Sequence, residues 1–183
     1  LEHLSAQHDI WLGAIADGDR RTRDFTRLGL RRGIVEMTAA LPVYRTYVNR
    51  EGCSIDDRAW LNQAWRAASQ RNPDLEPGLL AFVRDTITEA HADPARLEFA
   101  LRWQQFTGPV FAKAVEDMAF FRDSMLVSLN EVGGDPAHPG TGVHEFHALN
   151  QERRERTPFG LLATTTHDTK VSEDVRARLD VLS

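Results

Sequence analysis

Apolar residues recur every three or four positions along most of this chain, which is the spacing of an amphipathic helix. The pattern predicts helices over roughly 4–17, 21–41, 55–71, 78–91, 94–107, 110–122, 143–156 and from 173 onward. Ser54, Asp93 and Ser172 stand immediately before predicted helices, where their side chains can cap free backbone N–H groups. Pro94 occupies the first helical position after Asp93, where a missing N–H costs nothing.

Two short segments interrupt the helical pattern and are predicted to be extended. Val43–Val48 is rich in β-branched and aromatic residues, and Leu161–Thr165 is an apolar run that ends in threonines. Two strands separated by more than a hundred mostly helical residues cannot form a sheet of ordinary size. We therefore expect a mainly α fold, consisting of a helical insertion plus one or two strands excerpted from a (β/α)8 barrel, whose catalytic groups follow the strands.

The amino-acid composition of the chain argues against several classes of partner and location. The formal charge of −5 argues against a nucleic-acid partner, which would require a basic face to neutralise phosphates. The single cysteine, Cys53, cannot form an internal disulfide, which fits a reducing cytoplasm. No secretory leader and no apolar window long enough to cross a bilayer is evident, so a cytoplasmic protein without a membrane partner is predicted.

Lysine is rare in this chain. Lys113 and Lys170 are its only two lysines, beside twenty arginines. A compact ammonium group could be required at these two positions, or the bias could reflect genomic base composition, and the two explanations carry equal weight. Lys170 attracts attention because it lies in THDTK, directly after the predicted strand Leu161–Thr165.

The THDTK cluster admits two interpretations. An aspartate at the end of a strand, beside a histidine and a lysine, can bind sugar hydroxyls or stabilise positive charge at a reacting carbon. Alternatively, Thr166 and Asp168 only form the turn into the last helix, as threonine and aspartate often do. From local chemistry alone, the second interpretation is favoured.

Five longer stretches of the sequence help to decide between these two interpretations of THDTK. They are LPVYRTYV, QQFTGPVFAKAVEDMAFFR, LVSLNEVGGDP, EFHALNQERRERTPFGLLATTTHDTK and the final THDTKVSEDVRARLDVLS. In this order they resemble the maltooligosyltrehalose synthase family of the alpha-amylase superfamily, and the last stretch resembles the fourth signature region of that superfamily. The resemblance runs from Leu41 to the C-terminus, whereas the first forty residues are less distinctive.

The resemblance implies a reaction. Enzymes of this family convert the reducing-end α-1,4 linkage of a maltooligosaccharide into the α,α-1,1 linkage of trehalose, by retaining intramolecular transglycosylation without a cofactor. Their nucleophile and general acid lie on earlier strands, in motifs that nothing in Leu1–Leu41 resembles. We therefore expect an internal fragment that is inactive alone, with the maltooligosaccharide and the rest of the parent polypeptide as its partners.

The resemblance also implies site residues. Asp168 matches the third carboxylate of the family, which stabilises the transition state, and His167 matches its substrate-binding neighbour. The other residues expected to line the substrate pocket are Lys170, Lys113, Glu116, Asp117, Arg45 and Tyr47. The sequence departs from the family pattern at Ala114, Met118, Phe121 and Val171.

The apolar pattern and the resemblance together predict an organisation in four parts. Residues 1–42 form a helical segment, 43–48 a barrel-strand candidate, 49–160 a helical insertion near the active site, and 161–183 a barrel strand, the catalytic loop and the following helix.

The sequence raises two other functional interpretations. His144 and His147 are grouped in VHEFH, but a metal site needs three or four ligands, so no metal is predicted. The alternative to an enzyme fragment is a non-catalytic helical interaction or structural module. A strand-end aspartate and glutamate in amylase-like contexts upstream of this segment would decide for the enzyme.

Overall fold

The computed structural model describes residues 7–123, 127–135, 138 and 140–182. Leu4, which the apolar pattern assigns to the first helix, lies outside the described residues. The chain divides into two compact units, Leu1–Ala112 and Lys113–Ser183. Most residues in both units are helical, in agreement with the expected mainly α fold class.

From residue 7 onward, where its description begins, the first unit contains five helices that pack as a bundle. They are α1 His8–Asp17, α2 Arg27–Ala39, α3 Ile55–Arg71, α4 Leu79–Thr88 and α5 Pro94–Phe111, with a short 3-10 turn at Ala90–Ala92 between the last two. Helix α2 packs against α1, α3 and α4, and α5 packs against α1 and α4.

The core of this bundle lies between α2, α4 and α5. The largest fully buried side chains include Leu30, Ile34, Leu79, Phe99 and Trp103. Helices α2 and α4 approach each other so closely at Gly33 that an added Cβ would collide with the side chain of Leu79. Any larger residue at this position would therefore require the side chain of Leu79 to shift within a closely packed core.

Local hydrogen bonds fix where the helices begin. Ser54 accepts from Asp57 N at 3.0 Å and Asp93 accepts from Ala95 N at 2.8 Å, so these two predicted caps are confirmed. The predicted start of the second helix near residue 21 is wrong. Thr26 caps α2 by accepting from Gly29 N at 3.1 Å, and the chain before it is held in turns.

The predicted strand Val43–Val48 is not a strand in the structure. The side-chain amide of Gln104, on α5, takes the place of a neighbouring strand. Its Oε1 accepts from Val48 N at 2.6 Å, and its Nε2 donates to Val48 O at 3.0 Å. The backbone groups of Val48 are therefore satisfied without a strand partner, and no ladder forms.

The second unit begins within a continuous helical stretch. A π-helix, Ala112–Ala119, follows α5 and leads into the short helix α6 Phe120–Arg122. The predicted end of the preceding helix at Gly108 and Pro109 is also wrong, because α5 continues through Pro109 to Phe111. Pro109 has no N–H to donate to the helix. The wider π turns begin three residues later, at Ala112.

The remaining elements of this unit are a 3-10 turn Val127–Leu129, helices α7 Val143–Arg156 and α8 Glu173–Leu179, and a final 3-10 turn Asp180–Leu182. Ser172 caps α8 by accepting from Val175 N at 3.5 Å, as predicted.

The second predicted strand, Leu161–Thr165, also forms no strand. Leu161 is 100% exposed and Leu162 is 75% exposed, and no strand occurs among the described residues for them to pair with. An extended segment without a partner leaves its backbone groups unpaired. Here Arg176 Nη1 donates to Thr164 O at 2.7 Å, which satisfies one of these groups from a side chain.

Candidate functional site

The THDTK segment folds as a tight turn. Thr169 N donates to Thr166 O at 3.2 Å, and Asp168 N donates to Thr166 Oγ1 at 3.3 Å. Thr169 Oγ1 donates to the same carbonyl at 2.7 Å. The turn interpretation named Thr166 and Asp168; in the structure the side chains that bond within the turn are those of Thr166 and Thr169. These bonds leave the carboxylate of Asp168 without a capping role.

Asp168 and His167 present their side chains to solvent. The His167 side chain is 90% exposed and that of Asp168 is 68% exposed, with His167 Nε2 3.3 Å from Asp168 Oδ2. Neither side chain contributes to a core. Both can therefore contact a ligand without first breaking a buried interaction.

In contrast to the exposed side chains of His167 and Asp168, the side chain of Lys170 is largely buried. Its side chain is 13% exposed, and its Nζ lies 2.9 Å from Asp117 Oδ1 and 3.8 Å from Glu116 Oε2. Lys113 also pairs with Asp117, from the preceding turn of the π-helix. The structure thus brings Lys170 together with three predicted site residues, Lys113, Glu116 and Asp117, that lie more than fifty positions before it in the sequence.

The charges in this cluster are fixed by its geometry. Hydrogen bonds from Lys113 and then Lys170 lower the pKa of Asp117 to about 2. The hydrogen bond to Asp117 raises the pKa of Lys170. At neutral pH Asp117 is therefore a carboxylate and Lys170 an ammonium, so neither is suited to proton transfer. Their chemistry is that of binding and orientation.

The π-helix determines which side chains meet. Glu116 is buried and Asp117 is its immediate neighbour, and on a regular α-helix two adjacent residues diverge. In the wider π turn both carboxylates approach the single ammonium group of Lys170. Short π-helical segments are frequent at functional sites.

Sequence reasoning missed Glu131 and Arg176. Glu131 Oε1 accepts from Lys170 N at 2.9 Å, and its Oε2 accepts from Arg176 Nη2 at 2.7 Å. Burial alone would raise the pKa of Glu131, but the backbone N–H groups of Lys170 and Val132 and the guanidinium of Arg176 outweigh it, so the pKa is lowered. Both residues lie in the stretches that carry the family resemblance, but their pairing could be found only in three dimensions.

A small cleft adjoins the ammonium group of Lys170. Its volume is about 190 Å³, and Phe121, 71% exposed, forms one wall. The other lining residues are Phe120, Asp123, Val127, Asn130, Lys170 and Val171. An aromatic face beside an ammonium group suits the apolar face and the hydroxyls of a sugar ring.

Arg45 and Tyr47 belong to the first unit. Both are exposed, and the guanidinium carbon of Arg45 lies 5.2 Å from the ring centroid of Tyr47. Thr46 between them is buried and donates to Gln104 Oε1 at 3.0 Å. The alternation turns Arg45 and Tyr47 outward, where they remain available to a ligand.

Among the described residues, no three His, Cys, Asp or Glu side chains are grouped so that they could hold a metal ion. Over the same part of the chain, no helix is both long and apolar enough to cross a membrane.

Comparison with known proteins identifies relatives of the chain. No protein-family model matches it. Two curated proteins, from two strains of Mycobacterium tuberculosis and both provisionally named maltooligosyl trehalose synthase, are 42% identical to it over 148 residues, which is 80% of this chain.

Solved structures agree with these sequence relatives. The fold matches a mutant of maltooligosyltrehalose synthase from Arthrobacter ramosus with a TM-score of 0.77 and 38% identity over 98% of this chain. A second structure of the Arthrobacter ramosus enzyme matches with a TM-score of 0.71 and 42% identity over 84% of the chain. A hypothetical maltooligosyl trehalose synthase from Sulfolobus tokodaii matches with a TM-score of 0.57 and 27% identity over 98% of the chain.

These matches extend over only part of each relative. The chain spans 18% of the length of the curated relatives and 19–23% of the three solved chains. The motifs from Leu41 onward, the helical fold and the agreement of sequence with structure all point to the same proteins. The chain therefore belongs, as a segment, to the maltooligosyltrehalose synthase family.

Proposed function

We propose that this chain is part of an enzyme that converts the reducing-end α-1,4 linkage of a maltooligosaccharide into an α,α-1,1 linkage, as a step in trehalose biosynthesis. The observation that carries the proposal is the convergence of Lys170 with Asp117 and Glu116. The THDTK loop and the π-helix, both parts of the family resemblance, meet at this ion-paired cluster. Asp168 stands two residues from Lys170, with its carboxylate exposed.

The reaction assigns distinct tasks to carboxyl groups. A nucleophilic carboxylate attacks the anomeric carbon and forms a glycosyl-enzyme, while a carboxylic acid protonates the departing glycosidic oxygen. The anomeric hydroxyl of the released glucose then attacks the glycosyl-enzyme and returns a proton to the acid/base residue, which creates the 1,1 linkage. We assign the nucleophile and the acid to parts of the parent polypeptide outside this chain.

Within this chain, Asp168 is assigned the third carboxylate. A positive charge develops at the anomeric carbon in the oxocarbenium-like transition state, and a fixed carboxylate stabilises that charge more than it stabilises the neutral substrate. His167, beside it and almost fully exposed, is assigned hydrogen bonds to sugar hydroxyls. This division of tasks agrees with the exposure of both side chains.

The basic residues are assigned substrate binding. Lys170 and Lys113 both pair with Asp117, and Lys170 also lies near Glu116, so their ammonium groups are held where they can donate hydrogen bonds to sugar oxygens. Arg45 and Tyr47, exposed side by side on the first unit, are assigned to the same substrate. No cofactor has a role in this chemistry.

We further propose that residues 43–48 and 161–165 are strands of a (β/α)8 barrel in the whole protein, with 49–160 as an insertion near its active site. The exposed apolar run at Leu161 and Leu162 supports this arrangement, because such side chains are normally covered. A cytoplasmic location is proposed from the single cysteine, Cys53.

Incubation of the complete parent polypeptide with maltopentaose tests the proposed function. We expect loss of reducing ends without release of free glucose in equal amount, and a product that resists oxidation as a reducing sugar. Hydrolysis alone, with an increase in reducing ends, would contradict it. A matched incubation with the Asp168→Asn variant identifies background activity from contaminants.

A further inference from the structure

We propose that Glu131 and Arg176 form a clamp that holds both ends of the loop carrying Asp168 and so positions this carboxylate for the reaction. The loop is residues 164–170, and the clamp is the pair Glu131 and Arg176. The inference rests on the function proposed above, because it assigns these two residues a task in that reaction. Neither is expected to touch the substrate, so both are positioning residues.

Glu131 holds the end of the loop. Its Oε1 accepts from the backbone N–H of Lys170 at 2.9 Å, and also from Val132 N at 2.9 Å. A carboxylate that accepts from backbone N–H groups forms charge-assisted bonds, which are shorter and stronger than neutral ones. The backbone of Lys170 is thereby fixed independently of the ion pair made by its ammonium group.

Arg176 holds the start of the loop. Its Nη1 donates to Thr164 O at 2.7 Å and its Nη2 donates to Glu131 Oε2 at 2.7 Å. One guanidinium group therefore connects the first residue of the loop to the carboxylate that holds the last. The planar fork of arginine suits this double contact, which a lysine could not reproduce with the same geometry.

The interior of the loop depends on its two ends. Its turn bonds join Thr166, Asp168 and Thr169 to one another. Such bonds shape the turn but do not orient it with respect to the π-helix. The ion pair of Lys170 with Asp117 ties the turn to the π-helix, and the clamp ties it to Glu131 and to α8, so a change at either end should rotate or loosen Asp168 as a unit.

Burial favours a well-defined geometry for the clamp. The side chains of Glu131 and Arg176 are 22% and 30% exposed, so water competes for their bonds less than at an open surface. A purely structural role would be the anchoring of α8, on which Arg176 lies. The structural role predicts a loss of stability, whereas the positioning role predicts a loss of turnover that depends on Asp168.

The test uses the complete parent polypeptide with maltopentaose. Glu131→Gln keeps the size of the side chain but presents a neutral amide to Arg176. We expect kcat to fall by about tenfold or more with KM changed by less than about threefold, because a small misplacement of a group that acts in the transition state affects mainly turnover. Glu152→Gln is the matched control, since Glu152 makes an exposed ion pair with Arg156 on α7 at 2.7 Å, and normal kinetics are expected.

A double-mutant cycle separates positioning from structure. If Glu131 acts through Asp168, the double variant Glu131→Gln with Asp168→Asn should be no slower than Asp168→Asn alone. Turnover of Glu131→Gln within about twofold of the parent enzyme, or effects that multiply in the double variant, would overturn the inference. If Glu131→Gln does not fold, Arg176→Lys is judged by the same criteria in its place.

Hydrogen exchange distinguishes failure of this inference from failure of the proposed function. Absence of any activity in the parent polypeptide would remove the proposed reaction but not the clamp. In that case, faster amide exchange at 165–170 in Glu131→Gln than in Glu152→Gln supports the clamp, and equal exchange overturns it.

Discussion

Asp168 occupies a turn in which its carboxylate has no packing task. Its side chain is 68% exposed, and the turn is closed by the threonines on either side. In the complete parent polypeptide, Asp168→Asn keeps the shape of the side chain and removes its charge. We expect turnover to fall by about a hundredfold or more, with a smaller effect on substrate affinity, because the lost charge acts mainly in the transition state.

Melting temperature provides the control for this substitution. Stability should change little, since an exposed loop carboxylate holds no core together. The turn interpretation predicts the same stability but normal turnover, because asparagine is as good a turn residue as aspartate. Turnover near that of the parent would therefore remove Asp168 from the site.

Asp117 should titrate at an unusually low pH. Its pairing with Lys113 and Lys170 lowers its pKa from the ordinary value of 3.8 to about 2. Because the folded-state pKa is depressed, the stability that this pairing contributes is complete above the unfolded-state pKa and is lost as the pH falls through the folded-state pKa. The carboxyl carbon of Asp117, followed by NMR, should show its midpoint at about 2.

Substitution of the lysines checks the cause of this shift. Lys113→Met or Lys170→Met should each raise the pKa of Asp117 toward its ordinary value, since each removes one hydrogen-bond donor and one positive charge. A midpoint that stays unchanged in both variants would show that the ion pairs do not hold Asp117 in solution.

Some of this residue-scale chemistry was visible in the sequence. The rarity of lysine drew attention to Lys113 and Lys170, and the structure gives both the same partner. The partner itself could not be predicted, because Asp117 and Lys170 lie 53 positions apart and nothing local connects them. Glu131 was missed for the same reason, because the sequence around a single glutamate does not indicate which distant N–H groups will donate hydrogen bonds to it.

Among the elements of the fold, the segment Val43–Val48 depends most on one side chain. Gln104 satisfies both backbone groups of Val48 and accepts from Thr46. Gln104→Leu fills the same space without a polar atom and leaves these buried groups without a partner. We expect a loss of about 2–4 kcal/mol in the free energy of unfolding, since each unsatisfied buried group costs about 1–3 kcal/mol.

Urea denaturation of the purified chain measures this loss. Gln105→Leu is the matched control, because Gln105 is the next residue on the same helix and is exposed. The control should change stability by less than about 0.5 kcal/mol. Equal effects of the two substitutions would mean that the amide of Gln104 does not support the segment.

Helix caps were the most predictable feature at this scale. Ser54, Asp93 and Ser172 act as the sequence indicated, because a cap is a contact between residues two or three positions apart. The errors arose where distant groups decide the outcome. Val43–Val48 has strand composition, but Gln104 satisfies the backbone groups of Val48 from α5. Pro109 lies inside α5, which continues to Phe111.

The chain alone should not perform the reaction proposed for its parent. Retaining transfer needs a nucleophile and an acid with carboxyl groups about 5 Å apart on either side of the bond. The paired carboxylates Glu116 and Asp117 are engaged with Lys170 and do not face each other across a substrate. Incubation of the purified 183-residue chain with maltopentaose should give no non-reducing product above a buffer blank.

The parent polypeptide assayed in parallel serves as the positive control. Product that persists after the chain is repurified would mean that the catalytic carboxylates have been assigned to the wrong part of the protein. Product only before repurification would identify a contaminant.

Family membership was the part of the whole-molecule picture that the sequence predicted well. Collinear motifs from Leu41 onward carry that information because each is long, whereas the bundle around Gly33 and Leu79 gives only an ordinary amphipathic pattern. The predicted strands failed because strand pairing requires partners that the described residues do not contain.

The pairing of both lysines with one aspartate has a practical consequence. Because the chain has no other lysine, a reagent that modifies primary amines reaches no side chain outside this cluster. The two positions also differ in access, since the side chain of Lys113 is 77% exposed and that of Lys170 is 13% exposed. Amine labelling followed by mass spectrometry can therefore report whether a bound ligand covers this cluster, without any substitution. Lys170 is the protected probe, and Lys113 is its internal reference.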